Sequence, residues 1–302
     1  MGLSALRKIL APQPFNPATL AGRTVAVDAD NLVWSFATAL AATGNWTTGP
    51  DGRSNAHLQG LVARLRLYAQ WGARSVWIFD GAQPGLKEAT LVARAERIEA
   101  ARVAGDAQAA IEVTADDLAE CRALLAALGI PAMVAPGESD AQCARLVADG
   151  KAWAAVTQDW DIALFGAPRA LRNLSGSKTR APEILDLAGS LAAAALTREQ
   201  LVDAAILIGT DYNEGLQGIG PVKAVKLVKK HGSLEAALRA LGASMPEAAE
   251  VRSIFLEHPV DVGYAPRFSA PDAEKARALL AARGISETKA AALVEDLARL
   301  HR

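Results

Sequence analysis

Four carboxylates come in two closely spaced pairs. Glu138 and Asp140 have one residue between them, as do Asp159 and Asp161, and the apolar run 153–156 separates the pairs. That run is short, Ala-rich and bounded by polar residues, so it reads as a buried strand. Asp159 and Asp161 then follow its C-terminal end, the edge at which open α/β sheets bind ligands. Glu138 and Asp140 begin a helix that carries Ala141, Ala144, Leu146 and Val147, with Gly137 near the cap. Acids at a helix start are ordinary, because they favour the positive end of the helix dipole. Four of them at one edge repel each other unless cations neutralise them, and an all-oxygen set suits Mg²⁺ or Mn²⁺.

The positioning elements recur along the chain. The run 24–27 reads as a strand with Asp28 directly after it, and the run 75–79 as a second strand with Asp80 and Gly81 at its end. A single Asp in that place is often a turn former or cap. Strand followed by Asp occurs three times, at Asp28, Asp80 and Asp159. With helices between the strands, these carboxylates converge on one edge of a parallel sheet. Helices are expected over 31–42, 58–71 and 116–128, the last closed by Gly129, and from Thr197 onward. Strands are expected at 130–134 and, as an edge, at 171–174, followed by a turn at Ser175-Gly176-Ser177. The stretch 84–112 is polar and helix-prone, and Lys87 and Arg94 at its start are spaced to share a helix face.

Apolar residues make up 51% of the 302, enough for a sizeable core, and aromatics only 5%, so that core is aliphatic. The formal net charge of −1 argues weakly against a nucleic-acid enzyme, although clustering matters more than the total. The clustering is in 218–230. Gly218-Ile219-Gly220 opens a helix with Lys223, Lys226, Lys229 and Lys230, a glycine hairpin whose N–H groups can face a phosphate. From this segment alone, a helix cap followed by a solvated lysine face is an equal reading. Cys121 and Cys143 lack CxxC spacing, and the four histidines form no metal motif. No run spans a membrane and no signal pattern opens the chain, so the expectation is a cytoplasmic protein, nucleoid-associated in a prokaryote.

These pieces together resemble the flap endonucleases of the structure-specific 5′ nuclease superfamily, the archaeal type most closely. The resemblance runs from Met1-Gly2-Leu3 through Val27-Asp28-Ala29, Phe79-Asp80-Gly81, Gly137-Glu138-Ser139-Asp140 and Gln158-Asp159-Trp160-Asp161. It continues through Arg172-Asn173-Leu174, Gly209-Thr210-Asp211-Tyr212-Asn213, the glycine hairpin, and Phe255-Leu256 with Pro259-Val260.

The resemblance implies an α/β fold, a mostly parallel sheet flanked by helices, with a C-terminal helix–two-turn–helix region. Regions 1–105 and 106–212 would complete one nuclease core, and 213–302 would form the helical remainder. It implies two Mg²⁺ ions, with Mn²⁺ able to substitute, held by Asp28, Asp80, Glu138, Asp140, Asp159, Asp161 and Asp211. Asp28, Asp80 and Asp140 would gather round one ion, Asp159 and Asp161 near the other. Lys87 and Arg94 match the basic pair that contacts the scissile phosphate. Gly2, Trp34, Gly218, Gly220, Lys223, Lys226 and Lys229 would bind DNA, with K⁺ at the hairpin. Trp34 reads equally as a stacking platform or a core residue.

The expected partner is flapped or branched double-stranded DNA, and the protein a monomer. A 5′→3′ exonuclease, a junction-cleaving relative, a non-catalytic DNA-binding scaffold and a small PIN-type ribonuclease are the other readings. Two departures stand out. The arch that follows Lys87 is shorter and less basic than in relatives, which predicts a more open arch. The tail lacks the sliding-clamp motif.

Overall fold

The computed structural model describes residues 4–42, 47–82, 84–106, 112–174 and 180–300. Its centre is one sheet of seven strands: β1 (Gln13–Pro14), β2 (Thr24–Asp28), β3 (Arg74–Phe79), β4 (Ala132–Val134), β5 (Ala154–Val156), β6 (Arg169–Arg172) and β7 (Glu183–Asp186). The order is β1-β7-β6-β5-β2-β3-β4. From β6 to β4 every pairing is parallel, and β7 and β1 add antiparallel strands at one side. Because successive side chains in a strand face opposite ways, Val25 and Val27 serve one core and Ala26 the other.

Helices cover both faces, as a parallel sheet requires. On one side lie Ser139–Ala148, Arg198–Ile208 and Pro221–His231, whose buried residues include Leu146, Ile206 and Val228. On the other lie Ala29–Ala42, Ala56–Gln70, Ala115–Ala127, Ala273–Ala282 and Glu287–Leu300, contributing Val33, Leu61, Leu124, Leu280 and Leu293. The last helix therefore packs back onto the first half of the chain, where the Arg66 guanidinium pairs with Asp296 at 2.7 Å. Thr114 with Asp117 and Thr197 with Gln200 form reciprocal capping boxes, which fix where two of these helices start. Among the described residues no helix is long and apolar enough to cross a membrane.

Several expected boundaries move. The strand expected as an edge at 171–174 is β6, which starts two residues earlier at Arg169 opposite Asp186 and is not an edge, because it pairs with β5 on one side and β7 on the other. Lys87 lies one residue before the α-helix that carries Arg94. It closes the 3₁₀ turn Gly85–Lys87, where Pro84 sets the chain direction, and the α-helix begins only at Glu88. That helix ends at Val103, and Gly105 then takes φ +72°. Gly2, the turn at 175–177 and the side chain of Arg94 lie outside the described residues.

Candidate active site

The parallel strands β2, β3 and β5 end side by side, and each delivers one carboxylate to the same edge. Asp28 is the last residue of β2, Asp80 follows β3, and Asp159 follows β5. The helix Ser139–Ala148 starts at this edge, with Glu138 as its N-cap residue and Asp140 in its first turn. Asp161 opens the 3₁₀ turn Asp161–Ala163. Asp211 comes from the turn after Arg198–Ile208, where the Thr90 hydroxyl donates to its backbone carbonyl at 2.7 Å. All seven acids line one cleft of about 850 Å³. Ligand oxygens of Asp28, Asp140 and Asp159 lie within 4.8 Å of one another. Asp159 thus sits with Asp28 and Asp140, and Asp80 is outside that closest group.

The donors around these acids are specific. Asp28 accepts from the Ser139 hydroxyl at 2.9 Å and the Thr157 hydroxyl at 2.8 Å. Asp80 accepts from the Ser139 N–H at 2.8 Å. The Asn31 side-chain amide donates to Asp159 at 2.5 Å, while its oxygen accepts from the Gln158 N–H. Glu138 takes both of its oxygens to the Lys87 ammonium, at 2.9 and 2.7 Å, and accepts from the Tyr212 hydroxyl at 3.0 Å. Two other oxygens, Oδ1 of Asp140 and Oδ1 of Asp161, are buried with no hydrogen-bond partner.

The electrostatics follow from this crowding. Burial, then the charges of Asp80 and Asp159, holds the Asp28 carboxyl well above the usual carboxylate range. Burial, then Asp28, Asp159 and Asp161, does the same to Asp140. Asp161 is pushed up by burial and by Asp159, and Asp159 by burial and Asp211. Burial works against the Lys87 charge, but Glu138 beside it raises the ammonium's pKa above its ordinary value. Like charges about 5 Å apart repel by about 3 kcal/mol at an effective dielectric near 20. A buried oxygen left without a donor costs a further ~1–3 kcal/mol. Hard divalent cations relieve both, and the donor set is all oxygen, so the residues present fit such ions.

Several residues at the site escaped the sequence reading. Asp30 accepts from the Asp80 N–H at 3.0 Å, and burial and the Asp80 charge push its carboxyl up to about 7. Its signal was its place two residues after Asp28. Asn31, Thr157 and Tyr212 sit beside named acids in sequence, but hydroxyls and amides carry no spacing signature. His258 had no local signal at all. Its Nε2 accepts from the Glu138 N–H at 2.7 Å and its Nδ1 donates to the Ile254 carbonyl at 3.1 Å, which fixes a neutral ring. Gly137 makes room for it, since a Cβ there would stand 2.3 Å from Nε2. Nearby, the Gln142 side chain pairs with both backbone groups of Asp261, and Lys151 donates to the Val262 carbonyl.

The expected DNA contacts lie in two places. Trp34 is 38% exposed and lines the acid cleft, so it is not a core residue. Gly218 takes φ +76°, and a Cβ at Gly218 or Gly220 would meet nothing within 4 Å, so the hairpin is open to solvent. Gly220 caps the helix Pro221–His231, on which Lys223, Lys226, Lys229 and Lys230 are exposed.

Residues 1–101 match the XPG N-terminal domain and residues 129–211 the XPG I-region. Flap endonuclease 1 of Methanocella arvoryzae is 35% identical over 298 residues, covering 90% of this chain and 88% of the relative. That of Archaeoglobus fulgidus is 38% identical, covering 84% of this chain and 83% of the relative. The solved flap endonuclease-1 from Methanococcus jannaschii has a TM-score of 0.82 at 28% identity over 98% of each chain. The catalytic core of Rad2 in complex with DNA substrate shares the fold, with a TM-score of 0.79 at 24% identity, over 98% of this chain and all of that one.

Proposed function

We propose, because this chain belongs to the flap endonuclease family, that it is a structure-specific 5′ nuclease hydrolysing phosphodiesters of flapped, nicked or otherwise branched DNA. The observation that carries this reading is the convergence of Asp28, Asp140 and Asp159 at one sheet edge beside partnerless oxygens of Asp140 and Asp161. Two Mg²⁺ ions, or Mn²⁺ in their place, are held by these acids with Asp80, Glu138 and Asp211. When bound, such ions neutralise the carboxylates and polarise the phosphate.

The chain's own groups do the rest. Lys87 stands at the cleft paired with Glu138, and its ammonium turns toward the phosphate when a strand enters. Arg94 joins it from the helix Glu88–Val103. Trp34 offers an exposed face on which an unpaired base stacks. Asn31 and Thr157 orient Asp159 and Asp28 through the bonds described. The hairpin and lysines of Pro221–His231 hold duplex backbone away from the cleft, and the hairpin would be the place for a K⁺ ion. A prokaryotic enzyme of this kind works in the cytoplasm, where its DNA is.

The test is cleavage of labelled flap, nick, fork, four-way junction and single-stranded substrates with Mg²⁺, mapping each cut. Cuts at the branch of 5′-flapped DNA, abolished by chelation of the metal, are expected. Digestion of all substrates at random positions, or none at all, would defeat the reading.

A further inference from the structure

The helix Ser139–Ala148 starts without capping itself. Glu138 is its N-cap residue, yet the Glu138 side chain accepts from none of the first backbone N–H groups. A carboxylate in that position ordinarily bends back to do so. This one turns the other way, with both oxygens on the Lys87 ammonium and one of them also taking the Tyr212 hydroxyl. The main chain at this turn is held from outside instead. The Glu138 N–H donates to Nε2 of His258 at 2.7 Å, across 120 positions of sequence, and the Ser139 N–H donates to Asp80. A Glu138 that capped its own helix would be drawn out of the cleft, so the group that fixes this backbone helps decide where the carboxylate points.

His258 is firmly mounted for that task. Its Nδ1 donates at 3.1 Å to the carbonyl of Ile254, in the last turn of the helix Ala248–Leu256. Its ring stands edge-on to Phe165 with centroids 5.2 Å apart, and Phe165 and Tyr212 both pack on Phe255. Just downstream, the Asp261 N–H donates to the Gln142 side chain at 2.7 Å and the Asp261 carbonyl accepts from it at 3.0 Å, so the chain beyond His258 is tied to the same helix. The imidazole cannot swing away without breaking bonds on both sides of it. Gly137 is its complement. The Gly137 backbone lies outside the left-handed region and does not itself call for glycine, but a Cβ there would stand 2.3 Å from Nε2.

We propose that His258 is a positioning residue for the metal centre. By taking the Glu138 N–H it fixes the turn from which Glu138 and Asp140 enter the cleft, and so sets how tightly that edge holds a divalent cation. The proposal rests on the nuclease reading for what the cation does, and on the contact of His258 with Gly137 and Glu138 for how the carboxylates are held.

The variants that test it separate the acceptor from the ring. His258→Phe keeps a ring against Phe165 and loses the acceptor. His258→Gln keeps an acceptor oxygen. Gly137→Ala leaves His258 in the sequence and drives it off with the added Cβ. Once circular dichroism confirms their fold, Mn²⁺ is titrated into each DNA-free protein by calorimetry, and hydrogen exchange is followed over 136–143. His258→Phe and Gly137→Ala should each weaken Mn²⁺ binding about tenfold, the scale for a group that orients a metal ligand, and should speed exchange at the Glu138 amide. His258→Gln should recover most of the loss. The double variant Gly137→Ala with His258→Phe should be no worse than either alone, because the same bond is lost in each. With flapped DNA and Mg²⁺, kcat should fall in step while KM for the DNA is unchanged. A purely structural role would lower Tm and leave the Mn²⁺ affinity of the folded protein at the parent value. That result in both His258→Phe and Gly137→Ala, or losses that add in the double variant, would overturn the proposal. If the parent protein cuts no branched DNA, the nuclease reading fails, and the Mn²⁺ titration still judges whether His258 sets the carboxylates.

Discussion

At the sheet edge, Asp28 is 4% exposed and both of its oxygens are claimed by hydroxyls, whereas Lys223, Lys226, Lys229 and Lys230 all stand in solvent. The acids come from three strand ends, one helix start and two turns, so only the pairs Glu138/Asp140 and Asp159/Asp161 are close for a local reason and the fold brings the rest together. The lysines come from a single helix, and any of them can shift without disturbing the others. Burial makes the first group strong and expensive, and exposure makes the second weak and redundant. The difference teaches which parameter each region controls. On the proposed function, changes at the acid edge are expected to alter turnover residue by residue, and changes on the lysine helix to alter binding as a sum.

The largest test of that contrast is Asp159→Asn. It removes one of the three convergent ligands and is expected to lower kcat about a thousandfold, the scale for losing one preorganised electrostatic group. Binding of flapped DNA, read by fluorescence anisotropy in Ca²⁺, should stay within a few-fold. A variant that cuts at the parent rate would break the comparison.

Lys87→Ala comes next. Its ammonium is the only cation bonded to Glu138 among the described residues, so removal leaves Glu138 unpaired and the phosphate less neutralised. Single-turnover rates should fall about a hundredfold while KM changes little, since the loss is felt at the transition state. A rise in KM at constant kcat would move Lys87 into the same class as the helix lysines.

For the helix itself, Lys223→Gln, Lys226→Gln and Lys229→Gln should each weaken DNA binding by a few-fold. Each should flatten the slope of log K against log salt by about one, as loss of a phosphate contact does. The effects should add, and kcat should be unaffected. An unchanged salt slope in the triple variant would place the backbone contact elsewhere.

The smallest effect concerns Asp30, whose carboxyl is pushed up to about 7 by burial and Asp80. A carboxyl with a raised folded-state pKa contributes stability that is complete below its unfolded value near 4 and is lost as pH rises through about 7. Asn at this position keeps an oxygen for the Asp80 N–H but does not titrate. In metal-free protein, Tm of Asp30→Asn relative to the parent is therefore expected to rise by a few degrees between pH 5 and pH 8. A difference that does not change with pH would show that Asp30 carries no such burden.

The parts of the molecule legible in the sequence were those set by local pattern. Val25 and Val27 before Asp28, and Val76 to Phe79 before Asp80, combine a β-branched or aromatic run with a polar stop, and both became strands at the expected place. The start of a helix at Thr197 was likewise visible. What could not be read was set by distant partners. β1 is two residues long and contains Pro14, and it exists only because β7 pairs with it across more than half the chain. Spacing put Lys87 within the helix, whereas it closes the 3₁₀ turn just before that helix and donates to Glu138. Asp30 and His258 are defined by the backbone N–H groups they accept from, Asp80 and Glu138, and no linear spacing records such a bond.

The strap formed by His258, Asp261 and Val262 has a bearing on how the protein is made. It fastens the helix that presents Glu138 and Asp140 through His258, Gln142 and Lys151, yet it lies some 120 positions downstream of Glu138. During synthesis the ribosome releases that helix long before its fastener, and domains emerge from the N-terminal side first. The catalytic edge is therefore assembled late. A chain arrested before position 258 is expected to carry the acids without these fastening bonds.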